Sequence, residues 1–305
     1  MSYTQIIVPQ AGIQAFESAS GSIDPSALLG SWQETQRIEL HEESLSMPHE
    51  VAYARSLELP SDEGRIPWAA FESGTLGQAC AWFHPCHLDV GMTDMVMQPV
   101  ELLRLTTVES RELLAVVAPL MVQDGITLAF HSAQRWLATG AAFADLECAS
   151  LARVQGRSIN EWLPDAGEFP QQTKLARLQA EVQMLLYTHP INDARTARGL
   201  PVVNSFWMDG AGTLDTMPAP SGVVKLEGRL QDAAGDASLY ARAWGSLLSE
   251  WEQLAAQALV NGDELGITLC GDKNAITWVT QKPNWKSKFL SVLSRKPAQN
   301  MRGVL

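Results

Sequence analysis

A chain of 305 residues with a net charge of −12 is long enough for one large domain or two ordinary ones, and it buries a core without disulfide staples. That acidity argues against a general nucleic-acid binder, since phosphate binding needs a basic surface. The longest apolar run, 113–122, is broken by Pro119 and falls far short of the roughly 20 residues of a bilayer-spanning helix. Cys80, Cys86, Cys148 and Cys270 form no CxxC pair and the start of the chain does not read as a signal peptide, so a cytoplasmic protein with reduced thiols is expected.

In chain order, Thr4 to Val8 predicts a first strand. Asp24-Pro25, a cap followed by proline, predicts a helix through about Gln33. A second helix is expected from Pro48 to Leu57, and a strand over Ala79 to Phe83. Thr106-Thr107-Val108-Glu109 has the form of a capping box; the helix after it carries Leu113, Leu114, Val117, Leu120 and Met121 on one face. Asp124-Gly125 turns the chain into a strand, Ile126 to Phe130. Gln172 to Tyr187 predicts a helix with the stripe Leu175, Leu178, Val182, Leu185 and Leu186. Ser238 to Leu259 is the longest predicted helix, with Leu247, Leu248, Trp251, Leu254 and Ala258 inward. Ile267 to Cys270 and Ala275 to Val279 form a hairpin candidate.

Interleaved strands and helices define an α/β class with a mixed or mostly parallel sheet flanked by helices. Residues 1–305 read as a single large unit, with Pro164 to Thr173 and Asp215 to Gly222 as linker candidates; the first would split two lobes. From Lys282 on there are six basic residues (Lys282, Lys286, Lys288, Arg295, Lys296, Arg302) and no acidic ones. This tail either touches a polyanion or docks on the acidic body as a helix, through Trp285, Phe289, Leu290 and Leu293.

The richest segment is 181–212. His189-Pro190 forces an extended step after a helix, because the residue before proline avoids helical backbone. Asn192 is read as the N-cap of a short helix carrying Arg195 and Arg198 and ending at Gly199. A strand from Val202 to Met208, with Asn204 and Trp207, then runs into a turn, Asp209 to Gly212, that contains Gly210 and Gly212. Free amides at a helix N-terminus and two guanidinium forks point to an anion-binding pocket built from His189, Asn192, Arg195, Arg198, Asn204, Trp207, Gly210 and Gly212. The alternative is that these residues tie helix to strand through one another's hydrogen bonds.

A second cluster is His84, Cys86, His87 and Asp89, with Asp94 beyond. His84, His87, Asp89 and Asp94 are candidate ligands for a divalent ion such as manganese or zinc. Alternation along a strand sends near neighbours to opposite faces, so satisfied histidines and a buried thiol, or a His–Asp pair without metal, are the competing readings. Arg153, Arg157, Asn160 and Trp162, and Arg135-Trp136, form two further clusters, either anion sites or partners of carboxylates. No dinucleotide fingerprint, phosphate loop or nucleophile elbow occurs.

His189, Pro190, Asn192, Arg195, Arg198, Gly199, Leu200, Pro201, Val203, Asn204, Ser205 and Trp207 together resemble the central motif of a proteobacterial family, the RpfE-type regulatory proteins. Some members of that family are labelled cofactor-independent phosphoglycerate mutase. Glu181, Gln183, Met184, Leu185 and Leu186, the stretch Pro85 to Val90, Asp124-Gly125 and Arg135-Trp136 extend the resemblance over roughly 45–212. The motif also resembles a segment of archaeal-type mutases in the alkaline-phosphatase-like superfamily, which use two metal ions and a serine nucleophile. This chain departs from them: Ile6-Ile7-Val8 runs into Pro9 rather than Asp-Gly, and no histidine follows His189. It departs from the RpfE-type pattern at Met208-Asp209. The resemblance implies a soluble bacterial protein that binds a small anionic ligand or a regulatory protein partner, with no cofactor and no metal-dependent catalysis. A phosphoglycerate mutase or related phosphotransferase is the alternative, its centre rebuilt from His84, His87, Asp89, Asp94 and His189.

Overall fold

The computed structural model describes residues 2–12, 25–163 and 170–280. Asp24, residues 164–169 of the first linker candidate, and the basic tail from Lys282 lie outside them. The elements up to the middle of the chain are β1 (Tyr3–Val8), α1 (Ser26–Leu29), β2 (Gln33–Glu39), α2 (Pro48–Ser56), α3 (Trp68–Ser73), β3 (Cys80–Cys86), β4 (Leu88–Val90), β5 (Met95–Met97), α4 (Thr107–Val122), β6 (Thr127–Ser132) and β7 (Arg135–Thr139). Then come α5 (Leu151–Val154), α6 (Pro170–Tyr187), α7 (Pro190–Ala197), β8 (Ser205–Gly212), β9 (Val223–Leu226), α8 (Arg229–Asp232), α9 (Ala237–Asn261), β10 (Glu264–Cys270) and β11 (Asn274–Val279). The class is α/β with a mixed sheet flanked by helices, as expected from the interleaving of the two periodicities.

The chain forms two compact units. The first gathers the described residues of Met1–Glu42, Met47–Glu58 and Pro218–Leu305. Its sheet has the order β2-β11-β10-β1-β9, with β1 parallel to both neighbours and β11 antiparallel to both of its own. Helix α9 starts where the Asp236 carboxylate accepts from the Ser238 and Leu239 amides, and it stops at Gly262 in left-handed backbone. Its buried face, Tyr240, Trp244, Leu247 and Trp251, packs on Ile6, Val8, Ile267, Leu269 and Ile276. Period two sends Gln5, Thr268 and Thr277 the other way, where they hydrogen-bond to one another while buried.

One expectation fails in this unit. Helix α1 ends at Leu29 rather than at about Gln33, and Gln33 instead opens the edge strand β2. Only Ile38 of β2 is buried; pairing with β11 overrides a polar sequence that has no periodicity of its own.

The second unit comprises Glu43–Ser46 and Leu59–Met217. Its sheet, β6-β7-β3-β8, is antiparallel throughout, and β4-β5 forms a separate two-stranded ladder. The capping box at α4 forms: Thr106 Oγ1 accepts from the Glu109 amide and Glu109 accepts from the Thr106 amide. Leu113, Val117 and Met121 of α4 and Leu175, Leu178, Val182 and Leu186 of α6 share one core with Phe83 and Phe206, whose rings stack at 4.5 Å. Leu185, expected in that stripe, is 38% exposed. Strand β8 runs to Gly212, so the turn expected at Asp209 to Gly212 does not exist. Gly210 and Gly212 have φ of 61° and 150°, and a Cβ on Gly210 would stand 2.9 Å from Trp68 Cβ. These glycines let α3 lie directly on the strand.

Candidate functional site

The central motif holds itself together. His189, not Asn192, is the N-cap of α7: its Nδ1 accepts from the Ile191 amide at 3.3 Å. Pro190 has no N–H, and the Asn192 amide donates to the His189 carbonyl at 2.9 Å, so the first turn leaves no such donor for an anion. The Asn192 side chain points inward. Its Nδ2 donates to the Leu186 and Val203 carbonyls at 2.9 and 2.8 Å, and its Oδ1 accepts from the Val203 amide at 2.9 Å. One carboxamide thereby joins the end of α6, the body of α7 and the entry to β8.

Neither arginine is held ready for a ligand. Arg195 is fully buried; its Nε donates to Pro201 O at 2.8 Å, and its terminal nitrogens donate to Glu109 Oε1 at 3.0 Å and to Leu103 O. Arg198 is half exposed and donates to the same Glu109 oxygen. Burial pushes the Glu109 carboxyl up, but the Thr106 amide and hydroxyl and the two arginines outweigh it, holding the group at about 2. The expected anion forks are an ion-pair knot between α4 and α7. Trp207 is buried and donates to Ala149 O at 2.8 Å.

The histidine cluster divides as strand alternation requires. His84 is buried, with Nε2 2.9 Å from Asp209 Oδ1; Asp209 Oδ2 accepts from the Leu151 amide. Burial disfavours the Asp209 charge, yet His84, the Leu151 amide and the field of Arg135 hold the carboxyl below the usual range. His87 lies apart from this pair, with Nδ1 2.9 Å from Val202 O and Nε2 2.9 Å from Asp89 Oδ1. Both ring nitrogens face oxygen atoms, one on the backbone and one on a carboxylate. Gln98 donates to the other Asp89 oxygen; this bond, outweighing desolvation and aided by His87, lowers the Asp89 carboxyl. Asp94 meets Ser158 at 3.4 Å. Burial pushes the Cys86 thiol up, which disfavours a thiolate ligand.

Among the described residues, no group of three or more His, Cys, Asp or Glu is placed to hold a metal ion. The donors named for a rebuilt two-metal centre are spread over separate partners and do not fit one. In the third cluster, Arg153 is buried against Ser46 O, Trp162 donates to Glu43 O, and Asn160 accepts from the Met95 amide and donates to Thr93 O at the turn between β4 and β5. Arg135 pairs with Glu72 and lies over the Trp82 ring.

What does converge is a cleft of about 400 Å³ whose lining includes His87, Asp89, Val90, Gln183, Tyr187, Asn192 and Asn204. Four of these were candidates from sequence: His87, Asp89, Asn192 and Asn204. His189, Arg195, Arg198, Trp207, Gly210, Gly212, His84 and Asp94 do not line it. Gln183, noted from sequence only within the family resemblance, and Tyr187, placed only on a helix, stand one turn apart and off the apolar stripe of α6. That spacing was the available signal. Asn204 is pinned by its side chain, Oδ1 accepting from the Leu88 amide and Nδ2 donating to the Leu88 carbonyl, each at 2.8 Å.

No protein-family model and no curated protein matches the chain. Among solved structures, it is similar to a cofactor-independent phosphoglycerate mutase from Thermoplasma acidophilum, with 13% identity over 93% of this chain and 90% of that one and a TM-score of 0.37. It is also similar to the PH0037 protein from Pyrococcus horikoshii, with 14% identity over 92% of this chain and 87% of that one and a TM-score of 0.44. No described helix is long and apolar enough to cross a membrane.

Proposed function

We propose that the chain is a binding protein of the RpfE-type regulatory class, that the cleft on its second unit takes a small polar ligand with an anionic group, and that no metal-dependent phosphoryl transfer occurs there. The observation that carries this reading is the meeting of two sequence clusters, 84–89 and 181–212, in one cleft of ligand size. Gln183 and Tyr187 supply uncharged donors for the anionic group. Asp89 is already engaged by the His87 ring at 2.9 Å and by the Gln98 carboxamide. The hydrogen bonds of Asn192 and Asn204 fix these two lining residues before any ligand arrives, and such preorganisation favours binding.

Calorimetric titration with succinate, inorganic phosphate and 3-phosphoglycerate tests it. At least one should bind, and Gln183→Ala and Tyr187→Phe should each weaken it about three- to tenfold with melting unchanged. Binding indifferent to both substitutions overturns the site. Turnover of 3-phosphoglycerate to 2-phosphoglycerate, dependent on manganese, overturns the binding-protein reading in favour of the mutase.

A further inference from the structure

The β4-β5 ladder has a single incomplete position, and it faces the cleft. Residues whose numbers sum alike pair across it: Leu88 with Met97, Asp89 with Val96, Val90 with Met95. The Gln98 amide donates to His87 O, and the Gly91 amide donates to Asp94 O. Hydrogen-bonded and non-hydrogen-bonded pairs alternate in an antiparallel ladder, so Asp89 bonds inward to Val96 while Leu88 and Val90 turn N–H and C=O outward. On the opposite strand, Met95 and Met97 also turn outward, and residues 156–160 satisfy both: Arg157 O and the Gly156 amide at Met97, Asn160 Oδ1 and the Ile159 amide at Met95. On β4, the Asn204 carboxamide satisfies both groups of Leu88. Among the described residues nothing meets the N–H and C=O of Val90, which is 61% exposed and lines the cleft.

We infer that the cleft recognises a planar amide of its ligand, N–H and C=O side by side, laid against Val90 as the Asn204 carboxamide is laid against Leu88. This rests on the cleft being a ligand site and names part of what the ligand carries. Two residues along a strand separate equivalent positions by roughly 6.8 Å, so the ligand amide would follow Asn204 along the edge at that interval. A carboxylate accepts from the Val90 amide but offers nothing to its carbonyl, and two acceptors would then face each other. An amide answers both groups, as Asn204 does.

Three nearly isosteric probes separate the cleft from the amide: succinamate, succinamide and succinate, titrated into ¹⁵N-labelled protein. Succinamate and succinamide should shift the Val90 amide resonance saturably and slow its hydrogen exchange; succinate should shift the Gln183 and Tyr187 signals and leave Val90 exchange unchanged. Val90→Pro removes the donor where it points away from the ladder, which an edge strand tolerates. It should weaken succinamate about tenfold and leave succinate unaffected. Equal effects of succinate and succinamate on Val90 exchange would overturn amide recognition and leave the cleft standing. Failure of all three probes to perturb any cleft residue would overturn both. The exchange measurement needs only the unaltered chain, so it decides even where the proline variant does not fold.

Discussion

At the scale of single residues, Glu109 does the most structural work. It caps α4, accepts from the buried Arg195 and meets Arg198 at the surface. Its carboxyl is held at about 2 in the fold against an ordinary 4.5. A depressed carboxyl contributes stability above its unfolded value and loses it as pH falls through the folded one. The contribution, on the order of 3 kcal/mol at neutral pH, should therefore fade from about pH 4.5 down to about pH 2. Urea unfolding of wild type and Glu109→Gln should show a gap at pH 7 that narrows over that window. A gap constant across it would assign the group another role. Arg195→Met at pH 7 leaves Glu109 without its buried partner and should cost about 3–5 kcal/mol, while succinate binding in the cleft stays unchanged. Lost binding with unchanged melting would return Arg195 to the ligand.

At the scale of elements, the signals that read correctly were those with a local physical cause. The capping box at Thr106, the stripe of α6 apart from Leu185, the long apolar face of α9 and the tight hairpin before β11 appear where sequence placed them. Trp251 is the firmest case, 1% exposed and edge-on to Trp244 at 5.9 Å. Trp251→Ala should cost about 3–5 kcal/mol in chemical denaturation; a change below 1 kcal/mol would place the ring outside the core. Sequence failed where long-range pairing decides. Strand β2 borrows its conformation from β11, residues far along the chain. The glycines of β8 read as a turn because the helix packed against them is invisible locally. At the site, residue types were legible and their partners were not. The two arginines read as anion binders in isolation; with Glu109, some 90 residues earlier, folded against them, Arg195 is a buried tie and Arg198 a surface one.

At the scale of the whole molecule, the first unit is assembled from segments on both sides of the second. The second boundary, Met217 to Pro218, falls within the proline-containing stretch Asp215 to Gly222. The core beneath α9 draws only on the outer segments. Replacing residues 59–217 by a Gly-Ser linker of about ten residues should therefore leave a chain with a cooperative thermal transition and a mixed α/β far-UV spectrum. A non-cooperative melt would show that the first unit depends on the second for its fold.

The register of β1 against β10, Tyr3 facing Glu264, also fixes a timetable. Strand β1 must wait for roughly 260 further residues to be synthesised before β10 can pair with it. Helix α9, which covers that sheet, is itself late. The second unit is complete at Met217, about sixty residues before β11 ends. At 5–20 residues per second that is a lead of roughly 3–12 s, long compared with the folding of most small domains. During it the cleft exists while Ile6, Ile7 and Val8 stand without β10. The exposed strand is short and begins with Tyr, Thr and Gln, which limits what it can aggregate with in the interval.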